Sequence, residues 1–187
     1  GGAVRGHAGV KPEALRSLGH DVKTIMGTDP PGQFTRVLHP RHGRHGNPPC
    51  DVIPIGRSVI VPANGTLPNI ILSPRSFFRV RDALRREQFD VVHLHEPMTP
   101  TPCVATLAVC TAPMVGTFHA NGELGWMRYA KPAWGFLADR LDHRLAVSER
   151  ALAAAQNWVP GEFGMVPHGV PLAAPGSPAG RANRPGF

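Results

Sequence analysis

Residues Ala112 to Gly122 read APMVGTFHANG, a short apolar run that ends on a histidine and breaks into small residues. The run PMVGTF has the length and composition of a buried strand, and Ala120, Asn121 and Gly122 supply a turn. An imidazole at the end of such a strand is aimed out of the sheet, so the neighbouring segments decide what it faces. Upstream, FDVVHLHE (Phe89–Glu96) is a second strand, followed by a small-residue helix from about Pro102 to Cys110. Downstream, a helical region from about Leu124 to Leu141, broken or kinked at Pro132, leads to the strand HRLAVS. A helix near Glu149 to Trp158 and a last strand in FGMVPHG complete the series. Strands alternating with helices imply right-handed βαβ units and a parallel sheet.

The same alternation extends upstream with less regularity. A helix opens at SPRSFFRVRDALRREQ, with Ser73 as N-cap and Pro74 in the first helical position. PEALRSLGHDVKTIM reads as a helix end, a turn at Gly19 and a strand at about Val22 to Met26. DVIPIGRSVIVPANG reads as two short strands with turns at Gly56-Arg57 and Asn64-Gly65, and residues 28–50 are loop-like.

The 187 residues suffice for one well-buried domain. With 21 Gly and 21 Pro, loops and tails must absorb the excess, and APGSPAGRANRPGF reads as a Pro/Gly-rich linker stub over residues 172–187. Lys plus Arg number 20 against 13 acidic residues, a formal charge of +7, which calls for an anionic partner. Nucleic acid, a phospholipid surface and a phosphorylated small molecule all satisfy that balance. Against nucleic acid, the arginines lack interleaved stacking aromatics beyond Phe77 and Phe78. Three cysteines, an odd number without CxxC spacing, fit a reducing cytoplasm. No run approaches the roughly 18 apolar residues of a membrane span, and nothing at the start is signal-like. The chain begins at Gly1 without Met, as a fragment or trimmed product would.

An open parallel sheet binds ligands beyond the carboxyl ends of its strands. Three such ends carry polar residues: HLHEP (His93–Pro97), TFHANG (Thr117–Gly122) and AVSE (Ala146–Glu149). His93 and His95 alternate on one strand and share a face, where pairing with neighbouring segments is favoured over metal binding. Ser148 is first of all an N-cap. His39, His42, His45 and Cys50 lie in a cationic loop without the paired spacing of a zinc site, so no metal is expected. Cys103 and Cys110 read as packed thiols. GxSxG, P-loop and paired-carboxylate constellations are absent.

In RSFFRVRDALRREQ, Phe77, Val80 and Leu84 fall on one face of a helical wheel as core. Opposite them lie Arg75, Arg79 and Arg86, flanked by Arg81 and Arg85, with Phe78 among the arginines. An aromatic inside a cationic stripe suits an interfacial membrane helix, and a solvated basic face is the alternative.

The segments VPANG, FDVVHLHEPMTP, APMVGTFHA, RLAVSE and VPHGV, in this order and spacing, resemble the N-terminal domain of retaining GT-B glycosyltransferases. They look most like actinobacterial phosphatidyl-myo-inositol mannosyltransferases, and the resemblance covers about residues 13 to 171. It implies a Rossmann-like α/β domain over residues 1–171, a parallel sheet with helices on both faces. It also implies a first strand that this chain lacks, since GGAVRGHAGVKPEAL opens where that strand should already have passed. Pro12 falls where the family's first helix continues.

By the resemblance, His119 is the histidine that contacts the donor sugar near the reacting carbon, an orienter and not a nucleophile. Gly1, Gly2, Asn64, Glu96 and Ala120 fall at acceptor-side positions, and the basic helix docks on anionic lipid. The resemblance further implies a nucleotide-sugar donor such as GDP-mannose as substrate, no cofactor, a lipid or lipid-linked acceptor, and a second domain needed for turnover. The expected place is cytoplasmic and peripheral, on the inner face of the plasma membrane. Two other readings stand beside it: a soluble glycosyltransferase with a small-molecule acceptor, and a non-catalytic remnant or basic binding protein.

Overall fold

The computed structural model describes residues 12–28, 51–57, 59–60, 69–71, 73–99, 101–119 and 131–167. Helical residues 12–17 (α1) lead through Gly19, in the left-handed region at φ +91°, to strand β1 (Thr24–Thr28). Pro12 is the first described residue of α1. Strand β2 (Val52–Arg57) runs parallel to β1, pairing Thr24 with Val52 and Ile25 with Ile53.

The turn expected at Gly56-Arg57 is not there: both residues belong to β2. Gly56 serves close approach instead. At φ +154° a Cβ on it would come 2.5 Å from Ser76 Oγ, so only glycine lets β2 lie this near the following helix. Short β3 (Val59–Ile60) and β4 (Asn69–Ile70) then pair antiparallel, an element the all-parallel expectation did not contain. The Asn64-Gly65 turn lies outside the described residues, as does most of the 28–50 loop.

Helix α2 (Pro74–Glu87) follows the expected start and adopts an extended Ser73 before Pro74. The Ser73 side chain, however, makes no capping hydrogen bond; its backbone carbonyl accepts the Ser76 N–H instead. The buried face is Ser76, Val80 and Ala83, with Phe77 and Leu84 partly buried beside it. The core stripe is therefore shifted slightly from the expected one of Phe77, Val80 and Leu84.

From there the expected order holds element by element. Strand β5 (Val92–His95), helix α3 (Cys103–Val109), strand β6 (Met114–Phe118), helix α4 (Lys131–Ala138), strand β7 (His143–Ala146), helix α5 (Glu149–Gln156) and strand β8 (Gly164–Met165) follow one another. Of the helical region expected from Leu124, only α4 is described; it includes Pro132, and the residues before Lys131, where the expected break would begin, lie outside the described ones. Strands β5 to β8 form one parallel sheet in sequence order, so the α/β class with parallel strands and intervening helices is the observed one.

Period-two alternation divides β5 and β6 into two faces. Leu94, Met114 and Phe118 join Cys103 and Leu107 of α3, Cys110 just past its end, Trp134 and Ala138 of α4, and Leu141, Ala155 and Val159 in the main core. A smaller cluster, Ile55, Ile71, Val80 and Ala105, ties β2 to α2 and α3. Helix α3 thus serves both clusters, Leu107 on one and Ala105 on the other.

Candidate functional site

The opposite face of β5 and β6 carries the polar residues. His93 and His95 alternate with buried Leu94 and share that face, with ring centroids 4.5 Å apart and planes 31° from parallel. In the parallel register His95 sits opposite Thr117. Each histidine reaches diagonally to the residue two beyond its partner: His93 Nε2 contacts Thr117 Oγ1 at 2.7 Å, and His95 Nδ1 contacts His119 Nε2 at 2.9 Å.

The chain leaves β5 through Glu96, a non-glycine residue at φ +57°. Such a backbone costs of order 1 kcal/mol and persists only where its surroundings fix it. Here the Glu96 N–H donates to the Thr117 carbonyl at 2.9 Å, and the Glu96 carbonyl accepts the Thr99 N–H at 2.9 Å. The turn points the Glu96 carboxylate across the strand ends, where it accepts the backbone N–H of His119. A charge-assisted bond of this kind is stronger than a neutral one. Pro97 and Met98 are buried beneath the turn. Gly116 leaves room for Pro97 and Leu141, because a Cβ there would meet Leu141 Cδ1 at 2.7 Å and Pro97 Cγ at 3.1 Å.

His119 is therefore held at the carboxyl rim of the sheet by two residues of the neighbouring strand end, through its backbone by Glu96 and through its ring by His95. Ser148 behaves as the expected N-cap, accepting the Ala151 N–H at 3.2 Å. Cys103 donates its thiol to the His95 carbonyl at 3.5 Å; burial first, then the Glu96 charge, pushes its pKa up to about 12. Burial also raises Cys110. Both are packed thiols, far from the thiolate a nucleophile needs. Among the described residues, no group of three or more His, Cys, Asp or Glu side chains could hold a metal ion.

On α2, Arg75, Phe78, Arg79, Arg85 and Arg86 are exposed, and Phe78 is 53% accessible. Arg81 is half-buried, its guanidinium 5.2 Å from the centre of the Phe78 ring. Arg81 also lies 3.4 Å from Asp82 and Arg86 lies 3.5 Å from Glu87, so part of the cationic stripe is locally offset. Among the described residues no helix is long and apolar enough to cross a membrane.

The structure thus brings together His119 and Glu96 from the expected residues, at one rim, and keeps the six residues of the basic helix together on α2. Gly1, Gly2, Asn64 and Ala120, the remaining acceptor-side residues, lie outside the described residues, as do the His39 to Cys50 loop and residues 172–187. His95 and Thr117 are the members that sequence reasoning did not join to His119. The signal was available in the matching spacing of His-x-His and Thr-x-His on adjacent parallel strands, which generates both diagonal contacts from one register.

A family model described as Glycosyltransferase Family 4 matches residues 13–174. A phosphatidyl-myo-inositol mannosyltransferase of Propionibacterium freudenreichii is 34% identical over 158 residues, 84% of this chain and 40% of the relative. Proteins of the same name from Mycolicibacterium smegmatis and Mycobacterium leprae are 28% and 32% identical over 120 residues, 64% of this chain and 28% of each relative. The chain therefore spans well under half the length of these curated relatives.

Proposed function

This chain belongs to Glycosyltransferase Family 4, and on that premise we propose that it is the acceptor-side domain of an enzyme that moves mannose from a nucleotide-sugar to a lipid acceptor. The relatives named as phosphatidyl-myo-inositol mannosyltransferases support mannose and a phosphoinositide-type lipid as the two substrates. GDP-mannose is the proposed donor, held by a second domain across a cleft from the rim that carries His119.

Transfer proceeds with retention: the leaving diphosphate takes the acceptor proton while charge gathers on its oxygens. The protein's part is to position the sugar and stabilise that charge. His119 hydrogen-bonds a sugar hydroxyl beside the reacting carbon. The observation that carries this reading is its double anchorage, by Glu96 through the backbone and His95 through the ring, at the strand ends where parallel sheets take ligands. Helix α2 rests on the anionic inner face of the plasma membrane, Phe78 dipping among lipid headgroups while Arg75, Arg79, Arg85 and Arg86 meet phosphates and Arg81 stacks on Phe78.

In the enzyme that joins this chain to its donor-binding domain, His119→Ala lowers turnover at least about tenfold through lost transition-state contacts. Unchanged kinetics would remove the role assigned to His119. Flotation with anionic phospholipid vesicles reads the membrane claim separately: binding that falls in a Phe78→Ala, Arg79→Glu variant supports it. No binding by the wild type leaves a soluble acceptor as the reading.

A further inference from the structure

The resemblance makes Glu96 an acceptor-side residue, whereas in the structure its carboxylate reaches the backbone of His119. We propose that Glu96 is a positioning residue, whose carboxylate fixes the start of the His119 turn so that the imidazole meets the sugar; this rests on the reading of His119 as the sugar-orienting group.

The ladder between β5 and β6 shows why a side chain is needed there. In a parallel pair a residue donates its N–H to one residue of the neighbouring strand and accepts at its carbonyl from the residue two further on. The register sets His95 opposite Thr117, so the continued ladder has Glu96 donating to Thr117 and accepting from His119. The first rung is made by the backbone, from the Glu96 N–H to the Thr117 carbonyl at 2.9 Å. At the second, the left-handed backbone of Glu96 turns its carbonyl to the Thr99 N–H, and the His119 N–H donates to the Glu96 carboxylate. The carboxylate thus stands in for the carbonyl and carries the pairing one residue past the turn.

The residue type points the same way. At φ +57° glycine is the relaxed choice, and glutamate is not. What glutamate supplies and glycine lacks is an acceptor long enough to cross to the next strand end, a side-chain task of the kind for which backbone strain is tolerated. Pro97, fully buried, and Met98 pin the turn from beneath. Glu96, His95 and His119 make further contacts as well, and the bond at the His119 N–H stands alongside them.

In the 187-residue chain, hydrogen exchange of the His119 amide reads the bond itself. Exchange is slow in the wild type and in Glu96→Gln, which keeps a carbonyl oxygen at the same reach. It is at least about tenfold faster in Glu96→Gly, with protection in β6 and β7 retained. A His119 amide that exchanges alike in wild type and Glu96→Gly overturns the proposal.

In the enzyme with its donor-binding domain, Glu96→Gly lowers kcat about tenfold with the KM for lipid acceptor unchanged. Its thermal midpoint moves little, because the relaxed turn offsets much of the lost bond. Glu96→Gln keeps most of kcat, and Glu96→Gly placed in His119→Ala adds no further loss, since Glu96 acts through that histidine. Wild-type kcat in Glu96→Gly, a collapsed midpoint, an added loss beyond His119→Ala, or a Glu96→Gln enzyme as impaired as Glu96→Gly each overturns the proposal. A raised acceptor KM in Glu96→Gln returns the carboxylate to the acceptor. If His119→Ala itself is silent, the reading of His119 has failed and this proposal falls with it. If His119→Ala is crippling while Glu96→Gly is silent, only the role of Glu96 is lost.

Discussion

The four-stranded sheet β5–β8 and the two-stranded piece β1–β2 are both parallel, yet they are held in different ways. Among the described residues, the larger piece has a core of twelve buried side chains reaching from Leu94 to Val159. Its two buried hydroxyls are bonded, Thr106 to the Pro102 carbonyl and Thr117 to His93. Among the described residues, the smaller piece gathers Ile55, Ile71, Val80 and Ala105 into a second cluster and leaves the buried Ser76 hydroxyl without a hydrogen-bond partner. It is tied at its edges by ion pairs, Arg16 with Asp51 and Lys23 with Glu87. The rim that carries His119 stands on the piece whose described buried hydroxyls are bonded, and Gly116 there packs closely against Leu141 and Pro97. The piece with the unpartnered hydroxyl carries the basic helix, whose proposed work needs only a surface of the right charge.

Truncating a core side chain in each piece separates the two most strongly. Leu107→Ala and Ile55→Ala, both at fully buried positions, should each cost about 2–5 kcal/mol. Denaturant unfolding gives both values, and amide exchange shows where protection is lost. Because α3 belongs to both clusters, Leu107→Ala is expected to lower protection in β1 and β2 as well. Loss confined to β5–β8 would mean that the two pieces unfold independently.

A smaller change probes the unpartnered hydroxyl of the smaller piece. Ser76→Ala removes a buried hydroxyl with no partner, so stability should be unchanged or raised by up to about 1 kcal/mol. A clear loss, read as a lower denaturation midpoint, would show that the hydroxyl is satisfied in solution.

The smallest effect belongs to the edge pair. The hydrogen bond from Lys23, with its charge, holds Glu87 below the ordinary carboxylate value of 4.5, and the same bond raises Lys23. A depressed folded pKa gives stability that is present above 4.5 and lost as pH falls through the folded value. The raised Lys23 works in the opposite sense, its share fading as pH rises through its folded pKa. Glu87→Gln should flatten the acid-side decline slightly and leave the neutral midpoint almost unmoved, as expected for an exposed pair. A large drop at neutral pH would put the edge pair on a level with the Ile55 and Val80 packing as a support of the smaller piece.

Much of this was legible in the residues themselves. The run of Val92, Leu94, Met114 and Phe118, the Ser148 cap and the Ser73-Pro74 start all act locally, through side-chain period and backbone preference. Gly56 misled because a glycine that ends a strand and one that admits a neighbouring helix look alike in sequence. The pairing of β3 with β4 was not readable, since two residues in each strand carry no usable period. Nor was the short stripe shift on α2, where Ser76 and Ala83 are buried because β2 and α3 lie against them.

Sequence alone determined the order of strands and helices, their parallel run, and the placing of His119, Glu96 and His95 at strand ends, because spacing and apolar alternation are properties of adjacent residues. Only the tertiary structure decided that His95 lies beside His119, that Glu96 turns through the left-handed region to hold its N–H, and that the Thr117 hydroxyl meets the His93 ring. Those contacts depend on the register between strands more than twenty residues apart, and register is set by the packing of Leu94, Gly116, Pro97 and Leu141 against one another.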